Sequence, residues 1–286
     1  MASASSILNF ARRSRGRSFF LPREHGAWGM LLVPLAAGTA AGSPHGNRIV
    51  WVLLFAAAAL GLFCLRTTVE AALGLSALRP QNDGERRLVY SFILTYASVV
   101  LVALAVLILS AHAYGLLLLG AAAATAFLLQ AILKQLGRNT RMNAQLTGSI
   151  ALSSTAAGAY YLASGHFGLV AIVIWLANWI FSADQIHFVQ LRIHTSRAAT
   201  LGEKLRLGKG FLIHQAFSLL FLALIWRAGW LPGFMLIAFG PLFVRGIAWF
   251  FESPRPLQVR RLGITELLYA VVFGLFFIAG FHHQIR

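Results

Sequence analysis

The sequence predicts an all-α fold, a polytopic bundle of about nine transmembrane helices, and three observations predict it. Of 286 residues, 58% are hydrophobic and 11% charged, with a mean hydropathy of +0.74. A soluble domain carries roughly a quarter charged residues. Long intervals contain no Asp, Glu, Lys or Arg, and their lengths are one or two bilayer crossings of about 20 residues each. The basic side chains, finally, gather in alternate connections between those intervals. That alternation reads the net charge of +16 as membrane topology, so no nucleic-acid partner is expected. The single cysteine, Cys64, excludes an internal disulfide and a cysteine-based metal site.

The spans follow in order. The first lies at about Gly26 to Ala41, between Glu24 and Arg48. A second lies between Arg48 and Arg66 and continues towards Leu75. The charge-free interval from Arg87 to Lys134 is twice a span long and turns at Ser110-Ala111-His112-Ala113. The interval from Arg141 to Asp184 does the same at Ser164-Gly165-His166-Phe167-Gly168. Three more follow: Phe211 to Trp226, Leu231 to about Phe250, and Ile264 to Phe281. With the N-terminus inside, 21 of the 24 basic residues fall in the N-terminal segment or in inner connections, and only Arg48, Arg227 and Arg286 fall outside. A missed or extra helix would scramble this bias. The expected topology is therefore a cytoplasmic N-terminus and an outer C-terminus. Residues 1–24 form a basic cytoplasmic segment, and residues 25–286 a single transmembrane domain. Because an acid, Glu24, stands directly before the first apolar stretch, that stretch is expected to be a retained helix rather than a cleaved signal.

Inner connections two (about Thr67 to Arg87) and six (about Ser182 to Gly210) are long and polar, which directs attention to the cytoplasmic face. Ionisable groups at or inside spans are costly and mark functional candidates. Four clusters qualify. Glu24 and His25 open the first helix, where Glu24 suits the helix dipole and the pair exceeds what an interfacial anchor needs. Arg66 and Glu70 share a face at the base of the second helix, followed by Asn82-Asp83-Gly84-Glu85, a turn by composition. Lys134, Arg138 and Arg141 form a cationic row suited to an anionic headgroup or diphosphate, or serve as topology signal alone. Asn178, Asp184, His187 and Gln190 recur at roughly helical intervals, as one polar stripe running into Arg192 and His194. No GxGxxG, Walker A, HExxH, GxSxG or CxxC motif is present. Gly38-x-x-x-Gly42 and the alanine runs read as helix-packing surfaces.

The run Pro22-Arg23-Glu24-His25-Gly26-Ala27-Trp28-Gly29-Met30-Leu31-Leu32-Val33-Pro34 resembles the opening signature of the YwiC-like family of bacterial integral membrane proteins. In span count, orientation and long connections two and six, the chain also resembles the UbiA-type membrane prenyltransferases. That resemblance implies a cytoplasmic cavity where Mg²⁺, held by Glu70, Asp83 and Asp184, bridges to an isoprenyl diphosphate. The aspartate-rich motifs of that family are incomplete here: connection two offers Asn82-Asp83, and connection six follows Asp184 with His187 and Arg192. Membrane lipids, and an isoprenoid or other anionic lipid ligand, are the expected partners. Its binding residues would be Glu24, His25, Arg66, Glu70, Lys134, Arg141, Asn178, Asp184, His187 and Arg192. Two other readings stay open, a transporter or permease, and a non-catalytic partner of a membrane complex. Pro34 and Pro241 interrupt spans as transporter helices often are, but on this reading no acid lies at membrane depth.

Overall fold

The computed structural model describes residues 25–43, 45–74, 79–137, 140–195, 198, 200–253 and 257–283. Among them the secondary structure is entirely helical. In chain order the helices are α1 (His25–Gly42), α2 (Asn47–Ala72), α3 (Asp83–Leu109), α4 (Gly115–Gln135), α5 (Arg141–Ser164) and α6 (Leu169–His194). Then come the short α7 (Leu201–Leu207), α8 (Lys209–Arg227), α9 (Gly233–Leu236), a 3₁₀ turn (Ile237–Phe239), α10 (Gly240–Phe251) and α11 (Val259–His283). Seven segments are long and apolar enough to cross a membrane, counting Gly233–Phe251 as one, and the shorter apolar Gly26–Gly42 accompanies them. The chain is a multi-pass helical membrane protein. Its outward surface is lined by exposed Leu94, Leu101, Leu118 and Leu220, a surface suited to lipid tails rather than water.

The turns at Ser110 and Ser164 stand where the long charge-free intervals require them. Three boundaries differ from the sequence reading. Asn82 to Glu85 is a helix start, not a turn: the Asn82 Oδ1 accepts the Glu85 N–H at 2.8 Å, and the Glu85 carboxylate accepts the Gln81 N–H at 2.8 Å. Asp83 and Glu85 thereby sit against the positive end of the helix dipole. The stretch Ser182 to His194 is helix, not connection, so α6 carries Asp184 and His187 within itself. The last helix begins at Val259 rather than Ile264. A helix that keeps its own backbone bonded can continue through polar residues when other helices meet them, and in lipid that backbone has no other partner.

Contacts divide the described residues into two compact units, those within 25–27 and 50–113 and those within 28–49 and 114–283. In the first, Gly61 lets α2 approach α3 at Val100, and Ala71 and Val89 form a small buried cluster. The second unit holds the larger core, in which Phe181 stacks on Phe273 at 4.0 Å between ring centroids, and Phe239 meets Phe273 edge-on at 5.1 Å.

α5 supplies the small-residue surface of that unit. Fourteen of its 24 residues are buried, nearly all Ala, Gly, Ser or Thr. Three of its buried hydroxyls are satisfied within the helix, Ser149, Ser154 and Thr155 each donating to the carbonyl three residues back at 2.7 Å, while Ser153 meets the Ser182 hydroxyl of α6 at 3.3 Å. This local bonding makes polar side chains tolerable in an apolar setting. Gly38 and Gly42 of α1 lie directly against Ala156 and Ala163 of α5, as the small-xxx-small spacing leads one to expect.

Lys204 anchors α7. Thr200 and Glu203 form a capping box at its start, and the buried Lys204 Nζ donates to the carbonyls of Trp249 (3.2 Å), Phe250 (3.4 Å) and Glu252 at the C-terminus of α10. A cation there satisfies carbonyls that the helix leaves open and opposes its dipole.

Candidate functional site

The site in the second unit is built on four helices. Asp184 comes from α6, Gln215 from α8, Arg245 from α10 and Glu266 from α11, and all four are buried. At about 1.5 Å per residue these groups lie roughly 9–15 Å inside their nearest helix ends on the loop-rich side. Nη1 of Arg245 donates to both carboxylate oxygens of Glu266 at 2.6 Å, and Nη2 donates to Asp184 Oδ2 at 3.1 Å. The Gln215 amide donates to Asp184 Oδ1. Gln185 donates to the backbone carbonyl of Glu266 at 2.6 Å and so holds α6 to α11 at the same level. Gly246 admits this arrangement, since a Cβ there would press on Phe211 and on the Gln215 amide.

Two aromatic rings pack against the guanidinium. Phe188 lies 4.0 Å from it and Tyr269 4.6 Å, measured to the ring centroids. Both ring faces attract the cation. Among the described residues Nε of Arg245 is buried without a hydrogen-bond partner. Two carboxylates thus share one cation, with a formal sum of −1 if all three are ionised.

The network forms the floor of a half-open cavity of about 210 Å³. Arg245 and Glu266 line it, with Arg192, Glu252 and Arg261 nearer the rim and Gln258, Thr265, Phe188, Leu257, Leu262 and Tyr269 around them. Arg192 pairs with Glu252 at 3.3 Å across the opening. Asp184 does not line the cavity; it stands behind Arg245. Nearby, the rings of His187 and His214 stack at 4.0 Å with an interplanar angle of 10°.

The sequence-derived candidates distribute as follows. Asp184 and Arg192 belong to this network or its cavity. His187 faces His214 on the neighbouring turn. Asn178 is fully buried, donates to the Ile174 carbonyl at 2.9 Å, and leaves its Oδ1 without a partner among the described residues. Six residues from Asp184, it lies about 120° around the helix at 100° per residue, so the expected single stripe is in fact several faces. Gln190 confirms the divergence by bonding Gln145 of α5 at 2.8 Å. Lys134 and Arg141 are exposed at the end of α4 and the start of α5. In the other unit Arg66 and Glu70 form an i,i+4 ion pair at 3.1 Å, and Asp83 begins α3. His25 is the first residue of α1, and Glu24 lies outside the described residues. Among the described residues no three His, Cys, Asp or Glu side chains gather to hold a metal ion. Asp184 is already taken by Arg245 and Gln215, and Glu70 by Arg66, so these carboxylates do not fit Mg²⁺ as they stand.

Arg245, Glu266 and Gln215 were absent from the expected site. A signal for the first two was present: each lies within an otherwise charge-free span, and such groups pair with one another. Asp184 and Glu266 are buried inside the helical bundle, at 2% and 4% exposure.

The family comparison concerns the other end of the chain. A family model described as YwiC-like protein matches residues 21–160. Over those residues, just under half of the chain, it is similar to the YwiC-like family. No curated protein and no solved structure matches it significantly. The YwiC-like segment contains the Pro22 to Pro34 signature, α1 to α4 and most of α5, and it ends before the buried charge network begins.

Proposed function

We propose that this protein binds the anionic head of a membrane lipid, of the isoprenyl phosphate or diphosphate class, in the cavity floored by Arg245. The carrying observation is that cavity: three arginines, Arg192, Arg245 and Arg261, converge with Gln258 and Thr265 between aromatic and apolar walls. Arginine forks match phosphate oxygens in pairs, and the apolar wall of Phe188, Leu257 and Leu262 suits an acyl or prenyl tail. The reading uses no metal. In a UbiA-like arrangement the cavity would open to the cytoplasm of a bacterial cell. The test is binding of a short-chain prenyl diphosphate to the purified protein in nanodiscs. Arg261→Gln is expected to weaken it about tenfold, the equivalent of one charged hydrogen bond at about 1.4 kcal/mol. Unchanged affinity in both Arg261→Gln and Arg192→Gln would remove the proposal.

Orientation is part of the same reading and rests on the basic bias. Reporter fusions should place the segments around Arg79, Arg138, Arg197 and Arg255 in the cytoplasm and the C-terminus outside. A C-terminal reporter active only in the cytoplasm would reverse it.

A second reading, transport of the anion, is favoured by one observation. The span Gly233–Phe251 is interrupted by the Ile237–Phe239 turn and Pro241, just before Arg245. Broken helices beside buried charge are a transporter device. Uptake of the probe into vesicles would select this reading over simple binding.

A further inference from the structure

We infer that ligand binding in this cavity is a carboxylate-for-phosphate exchange on Arg245, coupled to uptake of one proton by Glu266. The inference rests on the binding proposal above and adds its regulation. Arg245 holds two carboxylates that are not equivalent. Asp184 has a second partner in Gln215 and stands away from the cavity. The Glu266 carboxylate accepts from Arg245 Nη1 on both oxygens, has no further side-chain hydrogen bond among the described residues, and faces the cavity. Glu266 is therefore the partner an incoming anion displaces.

The shared guanidinium makes the exchange competitive. Phe188 and Tyr269 pack against it, and Nη1 is held by Glu266, so a phosphate oxygen that takes this nitrogen from the cavity displaces Glu266. The orphaned Nε marks a cation with more donors than its present partners use, and a tetrahedral phosphate presents more acceptor oxygens than a carboxylate. Once displaced, Glu266 would be a buried carboxylate beside an anionic ligand, which is too costly to persist. The step balances without a redox partner. An N–H of Arg245 transfers its hydrogen bond from Glu266 to a phosphate oxygen, an O–H bond forms on Glu266, and the proton comes from a buffer acid that becomes its conjugate base. Release reverses each change.

Among the described residues, the charged and titratable groups around Glu266 are Arg245 on α10, Asp184 and Arg192 on α6, Arg261 and Tyr269 on its own helix, and Glu252 at the rim. His187 and His214 stack near Asp184 on α6 and α8. Of the acids among them, Glu266 alone both lines the cavity and pairs with Arg245.

Proton uptake is measured while the nanodisc protein is titrated with the prenyl diphosphate in weak buffer at about pH 8, well above the second phosphate ionisation near 6. The expected result is about one proton taken up per ligand bound, with affinity falling as pH rises. Glu266→Gln, which keeps the shape and removes the titration, should bind without uptake and with a flat pH profile. Calorimetry of the wild-type protein in buffers of different ionisation enthalpy gives the same proton count should the variant fail to fold. Binding without uptake overturns the exchange and leaves the binding proposal standing. Uptake that persists in Glu266→Gln assigns the proton elsewhere and also overturns it. Absence of binding by the wild type removes both.

Discussion

Arg245→Met is expected to leave little folded protein. The substitution keeps an unbranched side chain of similar reach between Phe188 and Tyr269 but strips both Asp184 and Glu266 of their cation. The two carboxylates would then face each other in a buried setting with only the Gln215 amide between them and isolation. Removing one partner of a buried ion pair costs about 3–5 kcal/mol, against a total stability for folded proteins of about 5–15 kcal/mol. The effect is read as loss of the monodisperse peak in size exclusion after detergent extraction. A combined variant, Arg245→Met with Asp184→Asn and Glu266→Gln, removes the charges together and should recover much of that peak, because an uncharged replacement has no stranded charge. Wild-type behaviour of Arg245→Met alone would mean the ion network contributes nothing to the fold.

Gly38→Leu is the second large effect, through sterics rather than charge. A Cβ at Gly38 would fall onto the Ala156 carbonyl, within 2.8 Å of its carbon and 2.9 Å of its Cα. These are backbone atoms of α5, so no rotamer change makes room; the helices must separate. In lipid, helix association rests on close van der Waals packing, since leaving a neighbour for an acyl chain involves no hydrophobic penalty. The loss should therefore exceed the roughly 1–3 kcal/mol typical of overpacking. Gly120→Leu is the matched control: it is also helical, and a Cβ there meets nothing within 4 Å. Thermal melts in detergent should show Gly120→Leu near wild type, Gly38→Ala lowered, and Gly38→Leu without a cooperative transition. A Gly38→Leu protein as stable as Gly120→Leu would contradict the packing of α1 on α5.

The helical membrane fold and the turns between paired spans were legible in the sequence because the membrane imposes them locally. A span must be about 20 residues of satisfied backbone whatever its neighbours are, so charge-free intervals and their lengths located the turns at Ser110 and Ser164. The Gly38-x-x-x-Gly42 surface was legible for the same reason: small residues at helical spacing expose backbone regardless of the partner's identity. Where the reading failed, at Ser182 to His194 and at Asn82 to Glu85, polar residues were taken as a sign of solvent. In the first case they are polar because other helices answer them; in the second because they cap a helix.

The site was only half legible. Asp184 and Arg192 could be suspected from position alone. Pairing Asp184 with Arg245 spans 61 residues, and Arg245 with Glu266 spans 21, across helices whose order in space no local pattern states. The sequence by itself determined that this chain is a helical membrane protein, how long its helices are and which faces are small. The tertiary structure alone decided which buried charges meet, because burying a charge is governed by what other helices bring to it, and that depends on packing at a distance rather than on neighbours in the chain.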